Sequence, residues 1–181
     1  KEIEKQSRIY LDADKALIIR LDGRNVTKDK EKYDLTDKAG FVTAIRNAAI
    51  NALRSFRCEA VFYSVMDEIS IIILDSRDFF RNFDDTNQLY CASIFLQRFL
   101  SFFRTFFSTD FGISMFNIRE EYVPEYIEWR KKFGKDAAVV YAAKKFGIPY
   151  QGKRVKEVKK MLVEKEWYLS HTWFFEGILD T

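Results

Sequence analysis

The sequence predicts an α+β fold, a ferredoxin-like βαββαβ sheet with helices on one face, followed by a helical basic C-terminal part. Three observations predict it. Short β-branched and aromatic runs alternate with longer stretches of helical spacing in the order β-α-β-β-α-β. The composition, 48% hydrophobic with 18 Phe, 9 Tyr and 3 Trp in 181 residues, is that of a globular chain with one large aromatic core. The charge is uneven: residues 1–129 carry a net −3, whereas residues 130–166 carry +8 from 12 basic and 4 acidic side chains. That shift near Trp129 suggests two parts, a sheet domain over 1–129 and a basic helical extension over 130–181 packed on it.

The elements follow in order. Ala16–Leu21 is a short apolar run closed by Asp22-Gly23, a strand ending in a turn. Asp37–Phe56 places Phe41, Ile45, Ala48, Ala49 and Leu53 at helical intervals, with Asp37 at a capping position. Glu59–Met66 and Ile69–Leu74 are β-branched and aromatic and flank Asp67-Glu68, a hairpin with an acidic pair at its tip. Asn87–Phe107 is a second helix carrying Leu89, Ile94, Phe95, Phe99 and Phe102. Phe111–Ile118 is a fourth strand opened by Gly112. Pro124 stands at a favourable helix start. Asp136–Phe146 and Arg154–Lys165 read as further helices separated by Gly147-Ile148-Pro149. Phe174–Leu179 reads as a last short strand.

Composition also excludes. One histidine, His171, and two cysteines, Cys58 and Cys91, rule out His-rich metal centres and Cys/His zinc fingers. A metal here is held by carboxylates, and two Cys without a disulfide framework point to a reducing compartment. Cys58 and Cys91 read as inert small hydrophobes, and His171, beside Trp173, as structural. The apolar runs fall short of the ~18–20 residues that span a bilayer. The charged opening Lys1-Glu2-Ile3-Glu4-Lys5 has no signal-peptide core, and the absence of an initial Met suggests a processed or trimmed start. The expectation is a soluble, cytoplasmic protein without membrane partners. The +8 stretch is a candidate contact for a phosphate backbone. Trp129, Phe133, Tyr141, Phe146 and Tyr150 interleave it, either as stacking groups or as the buried face of the same helices. The Phe-rich run from Phe95 to Phe111 has the spacing of a helix core, with a surplus available to a subunit interface.

The topology makes a chemical statement. Strands one and two of the motif run in the same direction, so Asp22 and Asp67-Glu68 share one edge of the sheet. Clustered carboxylates at strand ends are costly unless paired or metal-bound. Two Mg²⁺ ions relieve that repulsion and serve in-line phosphoryl transfer. This is the arrangement of a polymerase palm.

The residues also carry a resemblance. Arg20-Leu21-Asp22-Gly23-Arg24-Asn25 is followed by Asp67-Glu68-Ile69-Ser70 and by Glu125-Tyr126-Ile127-Glu128-Trp129-Arg130. Together they resemble the R-x-D-G-R-x-F, S-D-E-x-S and E-Y-x-x-W-R segments of the tRNA-histidine guanylyltransferase family and its tRNA-guanylyltransferase-like 3′→5′ polymerases. The resemblance implies a nucleotidyltransferase with a palm-like catalytic domain that adds nucleotides to the 5′ end of tRNA or another structured RNA. It implies that Asp22 and Asp67 bind two Mg²⁺ ions, with the Gly23 carbonyl as a further ligand and Glu68 in support. Gly23, Arg24, Asn25 and Val26 would hold the triphosphate of GTP or ATP. Arg130 would face the polynucleotide end with Trp129 beneath it, and Lys131, Lys132, Lys144 and Lys145 would bind RNA. Homo-oligomers, commonly tetramers, are the family's habit.

Departures from the family pattern are equally specific. Val26 replaces the aromatic of the first segment, and Met66 replaces the Ser before the acidic pair. Tyr33-Asp34-Leu35-Thr36-Asp37 replaces F-x-K-P-x-D and lacks its Lys. The H-I-N-N-L-Y-N box is missing, with Lys135-Asp136-Ala137-Ala138 near its place. These changes favour 5′-end repair over histidine-tRNA-specific addition of G. Two other readings remain open: a palm-type cyclic nucleotide or oligonucleotide synthase, and a catalytically silent RNA-binding palm. Val65-Met66 in place of Gly-Gly before the acidic pair disfavours the diguanylate type of synthase.

Overall fold

A computed structural model describes residues 8–24, 37–162 and 178–180. The described elements are β1 (Ala16–Arg24), α1 (Asp37–Arg54), β2 (Val61–Val65), β3 (Glu68–Ile73), α2 (Arg77–Phe80), α3 (Gln88–Phe103), β4 (Asp110–Ile118), a 3₁₀ turn (Glu120–Tyr122), α4 (Val123–Lys145), α5 (Val155–Leu162) and β5 (Ile178–Asp180). The sheet order is β4-β1-β3-β2-β5, and every neighbouring pair is antiparallel. This is the α+β, ferredoxin-like arrangement expected from the sequence, lengthened at one edge by β5.

The core forms where α1 and α3 lie on one face of the sheet. Alternate residues of a strand point to one side, so Leu17, Ile19 and Leu21 of β1 and Ile69, Ile71 and Ile73 of β3 enter this core, fully buried. The Phe-rich run resolves by helical period. Phe95, Phe99 and Phe103 are buried, while Phe102 and Phe106 are exposed. Phe103 stacks on Phe99 at 5.6 Å and meets Phe41 and Phe111 edge-on at 5.6 and 4.8 Å. Asn87 caps α3, its side-chain oxygen accepting from the Tyr90 N–H at 3.1 Å.

Several expectations are corrected. Asp22-Gly23 is not a turn: β1 runs on to Arg24, with Gly23 opposite Phe111 and Arg24 opposite Asp110. The hairpin turn is Met66-Asp67, and Glu68 is already the first residue of β3, opposite Val65. The Pro124 and Asp136 helices are one, α4, which runs unbroken across the charge shift at Trp129. It ends where Gly147 takes φ 66°; the Ile148 N–H donates to the Ala143 carbonyl at 2.8 Å and the Gly147 N–H to Lys144 at 3.3 Å. The helices also do not all share one face. Val123, Tyr126 and Ile127 of α4 pack against Ala16, Ile18 and Ile72 on the sheet's other side. The last strand covers only Ile178–Asp180; Phe174 and His171 lie outside the described residues. Among the described residues no helix is long and apolar enough to cross a membrane.

Phe103 is fully buried among four aromatic rings, so truncation leaves a large void. Phe103→Ala is expected to lower the unfolding free energy by about 3–5 kcal/mol, read as a fall in the urea midpoint at unchanged slope.

Candidate active site

The α4-facing side of the sheet changes character along its length. At one end lie the apolar Ala16, Ile18 and Ile72. At the other, β1 presents Arg20, Asp22 and Arg24, because residues two apart share a face. Asp22 stands between two partners in register, Glu68 on β3 and Gly112 on β4. The Gly23 N–H donates to the Asp67 carbonyl at 3.0 Å, tying the end of β1 to the hairpin turn. Asp22 is exposed, while Asp67 and Glu68 are partly buried. The three carboxylates therefore meet at one edge, as the topology required.

Two local features shape that edge. Met66 holds φ 57°, a left-handed conformation that costs a residue with a side chain about 1–2 kcal/mol. A side chain at Gly112 would meet the Arg24 Nε at 3.3 Å, so the missing Cβ is what lets the Arg24 guanidinium lie across β4 beside Asp22.

Helix α4 reaches the site by matched spacing. Residues two apart on a strand rise about 6.6 Å, and residues four apart on a helix rise about 6 Å. Glu68 and Ser70 can therefore pair with Arg130 and Tyr126 simultaneously. Arg130 forms an ion pair with Glu68, its side chain 2% exposed against 12% for the carboxylate. The Ser70 and Tyr126 hydroxyls share a hydrogen bond at 2.9 Å. The Arg130 guanidinium carbon lies 5.0 Å from the Trp129 ring centroid and 4.5 Å from that of Phe133.

Burial raises Glu68 above the usual carboxylate range. Arg130 opposes the shift, while Asp22 and Asp67 add to it by repulsion. Burial likewise raises the Tyr126 phenol, against the Ser70 hydrogen bond, and so keeps it protonated at neutral pH. Burial pushes the Cys58 and Cys91 thiols up to about 12 and about 11, which leaves them unreactive.

The structure thus brings Asp22, Gly23, Arg24, Asp67 and Glu68 together. It places Arg130 elsewhere than expected: rather than facing a polynucleotide, it is buried under Trp129 and Phe133, because Glu68 needs a cation and the two rings exclude water. Lys131 is paired with Glu128 at 2.7 Å. Lys132 and Lys144 are exposed along α4, and Lys145 belongs to its last turn. Asn25 and Val26 lie outside the described residues. Sequence reasoning passed over Arg20, whose charge acts on Glu68, and also Ser70, Tyr126 and Gly112. The signals were present: Arg20 is two residues before Asp22 on a strand, and Tyr126 is four before Arg130 on a helix. Among the described residues no group of three or more His, Cys, Asp or Glu side chains forms a ready metal cage.

No protein-family model and no curated protein matches the chain. Solved structures do. This is the fold of the tRNA(His) guanylyltransferases. A bacterial tRNA(His) guanylyltransferase (Thg1)-like protein in complex with ATP superposes with a TM-score of 0.67 at 21% identity, over 98% of this chain and 84% of that one. A bacterial Thg1-like protein in complex with GTP gives 0.67 at 18%, over 98% and 80%. The tRNA(His) guanylyltransferase from Saccharomyces cerevisiae gives 0.66 at 14%, over 98% and 91%. At these identities the likeness is one of fold.

Two predictions test the site's support. Arg130→Met leaves a buried carboxylate without its counter-ion and is expected to cost about 3–5 kcal/mol; Arg130→Met with Glu68→Leu recovers most of it in the same urea titration. The second concerns pH. A carboxyl raised on folding binds its proton more tightly in the native state, so its contribution to stability declines as pH rises from the ordinary value of 4.5 through the folded one. The stability of the unaltered chain relative to Glu68→Gln is therefore expected to decline over that window and then level off, in urea titrations from pH 4 to 8.

Proposed function

We propose that this chain is a Mg²⁺-dependent nucleotidyltransferase that adds nucleotides to the 5′ end of tRNA or a tRNA-like RNA, in the 3′→5′ direction. The observation that carries the reading is the meeting of Asp22 with Asp67 and Glu68 at one strand edge, in a fold shared with proteins crystallised with ATP and GTP. The donors suit a hard divalent cation. All are oxygens, and Glu68 is partly buried with its ionised form opposed by Asp22 and Asp67, a repulsion that a cation relieves. When bound, such ions activate the attacking hydroxyl and stabilise the leaving oxygen.

The chain's own residues do the rest. Asp22 and Asp67 supply carboxylates from separate strands, with the Gly23 carbonyl between them. Arg24, folded across Gly112, offers a cation for a triphosphate. Glu68, fixed by Arg130, holds its place behind the aspartates and keeps their separation constant. The incoming nucleotide's 3′-hydroxyl oxygen forms a new bond to the phosphorus of an activated 5′ end, and pyrophosphate leaves from a triphosphorylated RNA. Asn25 and Val26, just past β1, complete the proposed nucleotide contact. Residues 1–129 would act as the catalytic palm and the basic segment 130–181 as the RNA-binding extension, with Lys132, Lys144 and Lys145 contributing most and Lys131 less because it is paired. A cytoplasmic homo-oligomer fits the resemblance.

The test is direct. With Mg²⁺, labelled GTP or ATP and a 5′-truncated tRNA, extension of the RNA is expected. A small cyclic product formed without RNA, or binding without turnover, would replace the proposal by one of its rivals. Asp22→Ala and Asp67→Ala are each expected to lower kcat by about 10³-fold or more with RNA affinity largely kept. Lys132→Ala with Lys144→Ala does the reverse, weakening RNA binding and flattening its dependence on salt.

A further inference from the structure

Trp129 and Phe133 are four residues apart on α4 and therefore share a face. Each ring has the Arg130 guanidinium over it, at 5.0 and 4.5 Å. Yet Trp129 is 51% exposed and Phe133 41%. Half exposure with a cation beneath is what a ring shows when one face is covered and the other bare. Large aromatics bared side by side are unusual on a soluble surface unless something covers them. Their position is also specific. Arg130 pairs with Glu68, and Glu68 is the register partner of Asp22, so the two rings stand beside the carboxylate edge. The charge along α4 changes at this point. Glu120, Glu121, Glu125 and Glu128 come before it; Lys132, Lys135 and Lys144 come after it, all exposed. The flank that leads away from the rings thus suits a phosphate backbone.

We propose that the outer faces of Trp129 and Phe133 form a stacking platform for an unpaired nucleobase at the 5′ end of the RNA, with the adjoining phosphates running along the lysines of α4. Stacking on an aromatic face accepts any base, which matches an end-repair activity that meets different terminal nucleotides. The buried guanidinium beneath gives the rings a fixed support. The inference rests on the RNA-end reading of the site but is tested by binding alone, so the two fail separately.

The experiment uses the full chain, without nucleotide, and two hairpin RNAs that differ only in a short unpaired 5′ overhang, followed by fluorescence anisotropy. Trp129→Ala and Phe133→Leu are each expected to weaken binding of the overhang hairpin by about 10-fold, to leave the blunt hairpin unchanged, and to leave the salt dependence of both unchanged. Trp129→Tyr, which keeps a ring, is expected to restore the affinity. Phe133→Leu keeps an apolar cover over Arg130, so its loss cannot be ascribed to unfolding. Equal losses on both RNAs, or no loss on either, would overturn the platform. So would a self-association, seen by sedimentation, that Trp129→Ala abolishes while RNA affinity stays the same, since the rings would then be covered by a second copy of the chain. If the chain binds the overhang through these rings but extends no RNA, the platform stands and the transferase reading falls.

Discussion

The candidate site depends on the register of β1. This strand is central, paired with β3 on one side and β4 on the other. Because side chains alternate, a slip of one residue would send Asp22 into the core and bring Leu21 to the carboxylate edge. Several features guard against it. Leu17, Ile19 and Leu21 are fully buried under α1 and α3, and the ladder to β4 runs from Ala16 to Arg24 without interruption. The hydrogen bond from Gly23 to Asp67 fixes the end of the strand to the hairpin turn. The same contacts that build the hydrophobic core therefore set which carboxylates meet.

Helix α4 supplies the second constraint. A helix laid along a strand usually makes only apolar contacts. Here the apolar contacts of Val123, Tyr126 and Ile127 give way, one turn later, to a buried ion pair. Such a pair contributes little net stability when it forms, yet breaking it is costly. Its effect is geometric: Arg130 has one partner, Glu68, and a displaced helix would leave both charges buried and alone. The ion pair and the Ser70–Tyr126 hydrogen bond hold the acidic turn in place from behind.

Most of the fold was legible in the sequence because it rests on local periodicity. The spacing of Phe41, Ile45, Ala49 and Leu53 marks α1, and the β-branched runs around Met66 mark the hairpin. The convergence of Asp22 with Asp67 was also legible, since it follows from topology alone. What was hidden depends on tertiary pairing. Asp-Gly is a strong turn signal, but pairing on both sides kept Asp22-Gly23 in the strand. Gly134 sits buried within α4, where a glycine lowers helix propensity by about 1 kcal/mol, and the break read between Pro124 and Asp136 did not occur. Arg130 read as a surface cation because charged residues are rarely buried. Only the partner, far away in sequence, shows why it is.

The fifth strand has a consequence for solubility. Its three residues pair with Phe62, Tyr63 and Ser64, which would otherwise form an open rim of the sheet. Unpaired peptide groups beside buried aromatic residues invite a foreign strand to add there. The chain closes this rim with residues drawn from near its own C-terminus. Tagging or trimming that end is thus a change to the sheet, with clumping of otherwise well-folded molecules as its characteristic symptom.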